Sequence, residues 1–75
     1  MRIRITKLEE LEDALHPNNI KIGYETVRDI PFEYFEEPQV GYRFTVGSFS
    51  TSGVQEIIDT NTFRTYSSIY RWEII

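Results

Sequence analysis

Polar and apolar residues alternate at the start of the chain: Arg2 and Arg4 interleave with Ile3 and Ile5, which is the period of a half-buried strand. The period then changes. In TKLEELEDALHP, residues 6–17, Leu8, Leu11 and Leu15 recur at spacings of three and four, with Ala14 beside them, the stripe of an amphipathic helix. Thr6 stands three residues before Glu9, as in a capping box, and Glu9, Glu10, Glu12 and Asp13 crowd the first turns, where a helix dipole favours acids. Pro17 ends the helix. NNIKIGYETV, residues 18–27, returns to alternation through Ile20, Ile22 and Tyr24 and predicts a strand bent at Gly23.

RDIPFEYFEEPQVG, residues 28–41, has no regular period. Pro31 and Pro38 bound it and bias it toward an extended loop with at most a single-turn element. Beyond it the signals are β. YRFTV alternates Phe44 and Val46 with Arg43 and Thr45, GSFSTSG supplies turn residues, and VQEIID is apolar enough for a buried strand. DTNT is a second turn cluster between VQEIID and FRTY, and SIYRWEII alternates Tyr70, Trp72 and Ile74 with Arg71 and Glu73. One strand and one short N-terminal helix ahead of a β-rich half define an α+β domain on a small curled antiparallel sheet. Closing that sheet into a five-strand barrel removes its exposed edges. The layout PQVGYRF…TSGVQEI…FRTYSSIYRW, over residues 38–72, resembles small SH3-like barrels encoded by phages and mobile elements. That resemblance implies a fold and a genetic setting and brings no catalytic or binding residues with it.

At 75 residues the chain is expected to be one domain, 1–75, and a domain this small hides only about 60% of its unfolded surface. Its 40% apolar content, with five Tyr, five Phe and one Trp, is enough side chain for a core. The lack of cysteine excludes disulfides, thiolate catalysis and cysteine zinc sites. No apolar run approaches the roughly 18 residues needed to cross a bilayer, and Met1 leads into RIRI rather than a secretory signal. A soluble, cytoplasmic protein, complete as it stands, is the expectation.

Charge adds a direction. Of the net −4, the part from Glu25 to Glu37 holds five acids against Arg28 alone, while residues 38–75 balance. A negative surface opposes phosphate, so ordinary nucleic-acid binding is disfavoured. The residues Phe32, Glu33, Tyr34, Phe35, Glu36 and Glu37 combine rings that fill pockets with acids that steer toward Lys and Arg. They form the candidate surface for a basic partner, in its most specific form an inhibitor seated on the nucleic-acid-binding surface of a host protein. The same rings and acids also suit a bland role, Phe32 and Phe35 closing the barrel while the acids keep the loop soluble. An alternative is a strand face of Tyr42, Arg43, Arg64, Tyr66, Tyr70 and Arg71 that stacks on single-stranded nucleic acid or holds a peptide. A third is a homo-oligomer joined through sheet edges.

Catalysis is not expected. His16 is the sole histidine and precedes Pro17, where a His⁺ near a helix C-terminus is simply favourable. Ser48, Ser50, Ser52, Ser67 and Ser68 lack an elbow motif and a partner imidazole. Glu33 with Glu36 or Glu37 is the one carboxylate pairing for glycosidase work, and so small a barrel has little concave surface to shield it. GSFSTSG lacks the Lys of a phosphate loop. Neither acidic run has the spacing of a calcium loop, and zinc lacks ligands. No cofactor and no metal are expected.

Overall fold

The computed structural model describes residues 1–11 and 21–75. Among the described residues six strands, β1 Arg2–Glu10, β2 Glu25–Asp29, β3 Arg43–Val46, β4 Phe49–Asp59, β5 Thr62–Thr65 and β6 Ser68–Ile74, form one antiparallel sheet. The order β2-β1-β6-β5-β4-β3 makes β2 and β3 its edges. These two edges are nevertheless consecutive in the chain, joined by residues 30–42. In a flat sheet they would stand about 24 Å apart, five strand spacings of about 4.8 Å. Curling instead brings Phe44 on β3 to 6.3 Å from Trp72 on β6, and Phe35 in the connection reaches both. The result is a curled sheet, nearly a barrel, whose open side is crossed by the 30–42 segment.

The curl comes from irregular pairing. Against β3, β4 carries one extra residue between Ser50 and Gly53, and its pairing with β5 slips again between Val54 and Glu56 and between Ile57 and Asp59. Each slip bends the strand and tightens its twist. The first also changes which parity faces inward, so Phe49 and Thr51 are buried before it and Val54 after it. The core is Ile3, Ile5, Phe44, Val46, Phe49, Val54, Phe63, Tyr70 and Trp72. Its rings touch in tilted and edge-on pairs, among them Phe44–Phe63 at 5.0 Å and Phe49–Tyr70 at 6.1 Å, the geometry that ring quadrupoles favour.

The helix expected from Thr6 does not form in the described part of that segment. Thr6 to Glu10 continue β1, with Lys7 opposite Tyr70, Glu9 opposite Ile69 and Glu10 opposite Ser68, while Leu8 is the extra residue of a bulge. The Leu11 N–H extends the pairing to the Ser67 carbonyl at 2.7 Å. A ladder supplied by β6 outweighs helix propensities of a few tenths of a kcal/mol per residue. Lys7, in phase with Ile3 and Ile5, is carried into the interior and is 1% exposed. The rest of the expected helix, with Ala14, Leu15 and His16, lies outside the described residues. Among the described residues the chain is therefore nearly all β, its helical content a single 3₁₀ turn at Phe32–Tyr34.

Two strand boundaries also move. Gly23 adopts φ +88° in a turn, its N–H donating to the Lys7 carbonyl at 2.8 Å, so β2 starts two residues later and Ile22 and Tyr24 stay exposed. In GSFSTSG only Gly47 and Ser48 form the turn, and the residues after them begin β4. Six strands replace the five expected, β2 being the edge that the turn at Gly23 returns alongside β1.

Candidate functional site

The acidic and aromatic segment is fixed to the fold at three places. At its start the Met1 amino group donates to the Ile30 carbonyl at 2.8 Å and the Ile30 N–H returns a bond to the Met1 carbonyl. Pro31 then opens the 3₁₀ turn, in which the Tyr34 N–H donates to the Pro31 carbonyl at 3.0 Å. Next, Phe35 inserts, its ring 5.4 Å from Trp72 and 6.5 Å, edge-on, from Phe44. At the far end the Gly41 N–H bonds the Val54 carbonyl, with Gly41 at φ +95°. Of the two roles weighed for the rings, Phe35 takes the closing one, as a half-buried clamp and not a free anchor, while Phe32 does not. The side chains around it project: Phe32 and Tyr34 are 77% and 71% exposed, and Glu33, Glu36 and Glu37 are exposed too.

Charge pairing leaves these three carboxylates alone. Among the described residues the ion pairs are Arg2–Asp29, Arg4 with Glu25 and Glu73, Lys7–Glu10 and Arg64–Glu56. None takes Glu33, Glu36 or Glu37. Two of the sheet's arginines are taken up by other acids, Arg2 meeting Asp29 at 3.1 Å and Arg4 meeting Glu73 at 2.9 Å.

Tyr34, Glu36, Glu37 and Gln39 form one wall of an open cleft of about 770 Å³ whose other wall is β3, with Tyr42, Arg43 and Thr45. Sequence reasoning had placed Tyr34 with one surface and Tyr42 with another; the fold joins them. Glu37 also borders a second, smaller hollow of about 180 Å³ beside Pro38, Asp59, Phe63 and Trp72. The Asp59 carboxyl is held below the usual range, first by the Asn61 backbone N–H at 2.9 Å and then by the Thr62 hydroxyl.

The alternative Tyr and Arg face does not come together. Tyr70 belongs to the core, stacked on Phe63 at 5.6 Å, because β6 turns it to the side of Trp72. Burial pushes its phenol pKa up, and the nearby Glu10 charge adds to that. Arg64 is occupied by Glu56 at 3.2 Å. Tyr66 stands in the turn between β5 and β6, Arg71 projects from the outer face of β6, and Tyr42 and Arg43 lie in the cleft.

Two features were not foreseen from the sequence. One is a polar cluster inside the barrel. Lys7 Nζ meets Glu10 Oε2 at 2.6 Å, the Ser68 hydroxyl donates to Glu10 Oε1 at 3.2 Å, and the Ser68 N–H donates to the Thr65 hydroxyl at 3.2 Å. Continuing the period-2 phase of Ile3 and Ile5 by one step would have marked Lys7 as inward. The other is Arg28, which lies opposite Ile3 and whose buried Nε has no hydrogen-bond acceptor among the described residues. Among those residues no group of three or more metal-binding side chains occurs, and no helix is long and apolar enough to cross a membrane. Comparison with protein-family models, curated proteins and solved structures finds no match to the chain.

Proposed function

We propose that this protein is a non-enzymatic binding module that docks the cleft-side surface of residues 32–37 onto a basic surface of another protein. The observation that carries this reading is the isolation of Glu33, Glu36 and Glu37: none has an ion-pair partner among the described residues, and all are held beside the exposed rings of Phe32 and Tyr34 by the Phe35 clamp. Unpaired carboxylates on a fixed segment speed encounter with a cationic partner and set its orientation, and the rings supply the area that holds it. In its finer form the occupied surface is one that otherwise binds nucleic acid, which makes the module an inhibitor of the kind that the resemblance to phage and mobile-element barrels implies.

The test is retention of basic proteins. A heparin-bound fraction of bacterial lysate is passed over immobilised wild type and over the triple variant Glu33→Gln, Glu36→Gln, Glu37→Gln. Wild type is expected to retain protein that the variant does not, with retention falling as salt rises, because solvent-exposed charges are screened beyond about 10 Å at 0.1 M. Release by added oligonucleotide supports the finer form. Equal retention by the two columns counts against the acidic surface.

A further inference from the structure

We propose that the cleft is a strand-addition site: an extended segment rich in Arg or Lys, from the partner, pairs with the free edge of β3 and directs its cationic side chains at Glu36 and Glu37. This deepens the function proposed above and rests on it.

The backbone of β3 supports the pairing. The Tyr42 carbonyl accepts the Val54 N–H at 2.8 Å, and the Phe44 N–H donates to the Thr51 hydroxyl at 3.2 Å, so these residues turn their polar groups toward β4. In an antiparallel strand the groups alternate sides. Arg43 and Thr45 therefore present their N–H and C=O groups to the opposite side, where among the described residues β3 has no neighbouring strand and ends the sheet. They are also the β3 residues that line the cleft. The hydroxyls of Thr45 and Ser50, 3.1 Å apart, fit a pair of directly opposed residues that share no backbone bond. Main-chain bonds to such an edge supply affinity while alternate side chains supply choice.

The other edge is guarded differently. On β2 the side chains of Glu25 and Asp29 are drawn back to Arg4 and Arg2, and Arg28 points inward, a placement that discourages strand pairing. On β3 the facing wall holds Glu36 and Glu37, which have no ion pair among the described residues, and the charged residue opposite them in the cleft lining is Arg43. A second copy of this chain is a poor occupant: pairing β3 with β3 brings two such acidic walls together, on a chain already at net −4. A basic segment has the complementary charge.

The test is amide hydrogen exchange read by NMR on the wild-type protein, with an acetylated octapeptide of alternating Arg and Thr as probe and its Glu-for-Arg counterpart as control. When the Arg peptide fills about nine-tenths of the sites, exchange at the Arg43 and Thr45 amides is expected to slow about tenfold, because only the free tenth exchanges. The Glu peptide gives no slowing. Thr45→Pro removes an outward N–H and no bond to β4, the placement in which an edge strand tolerates proline, and it weakens binding. If the Arg peptide binds and the triple Gln variant releases it, but both amides stay unprotected and Thr45→Pro binds equally, strand addition is overturned while the acidic surface stands. Equal protection by both peptides overturns the charge selection. Protection that grows with the protein's own concentration, without peptide, gives the edge to a second copy and overturns the proposal.

Discussion

The Phe35 ring sits 5.4 Å from the indole of Trp72, inclined at 49°, and this tilted contact helps tie the acidic segment to the core of the curled sheet. Removing it should have two effects. Phe35→Ala takes away a half-buried ring, so a loss of about 2 kcal/mol in urea unfolding is expected, below the 3–5 of a fully buried phenylalanine. Binding to a basic partner should weaken as well, although Phe35 itself is not offered to solvent. An affinity that stays unchanged would show that Glu36 and Glu37 keep their places without the clamp.

The triple Gln variant at Glu33, Glu36 and Glu37 should keep its fold. These residues are exposed and unpaired among the described residues, and substitutions at such surfaces change stability by within about 0.5 kcal/mol. Chemical denaturation of the variant beside wild type separates this from a binding effect. A large loss would mean that the carboxylates are part of the structure.

Lys7 and Glu10 should behave as a unit. Lys7 is buried and Glu10 nearly so, at side-chain exposures of 1% and 17%. Glu10→Gln removes the carboxylate charge that stands 2.6 Å from a buried ammonium and is expected to cost about 3 kcal/mol. The double change Lys7→Met, Glu10→Leu should cost much less, since well-packed apolar replacements of a buried pair are often close to neutral. Midpoints of urea unfolding for the three proteins decide it; a loss in the double variant as large as that of Glu10→Gln would contradict coupling.

The pH dependence has two limbs with opposite signs. Asp59 has a lowered folded pKa, so its contribution is complete above the unfolded value of about 3.9 and is lost as pH falls through the folded one. Asp59→Asn should therefore shrink the acid-side dependence. Tyr70 has a raised folded pKa, so stability is unaffected below about 10 and falls as pH rises from there through the folded value. Tyr70→Phe, which keeps the stacked ring, should flatten that alkaline limb, and tyrosinate absorbance should show one phenol titrating late. An alkaline limb that persists in Tyr70→Phe belongs to another group.

Gly47 sets the register of β3 against β4. Its φ of +60°, with no non-glycine residue at positive φ among the described residues, fits a two-residue hairpin turn with glycine first. A Cβ there would meet nothing within 4 Å, so the cost of Gly47→Ala is backbone strain, about 1 kcal/mol or more. Thermal unfolding measures it; no loss would mean that the turn relaxes freely.

The second half of the chain was legible because its strands are local: FRTY and SIYRWEII pair with a turn between them, and alternation picked out Phe44, Val46, Tyr70 and Trp72 as inward, although Ile74 on the same side and Ile57 and Ile58 of VQEIID are exposed. The loop with a single turn at residues 32–34 followed from its prolines. What misled was the leucine stripe from Leu8, read as helix where β1 continues to Glu10.

The sequence by itself determined a small β-rich domain with its uncompensated negative charge in residues 25–37, since both depend only on composition and order along the chain. The tertiary structure alone decided which side chains that charge stands beside. Ladder bonds from β6 drew Lys7 to Glu10 into a strand, and the bulges of β4 curled the sheet until Phe44 on β3 met Trp72 on β6. Tyr34 and Tyr42 therefore face one cleft. Pairing partners distant in sequence fix those outcomes, and no local period encodes them.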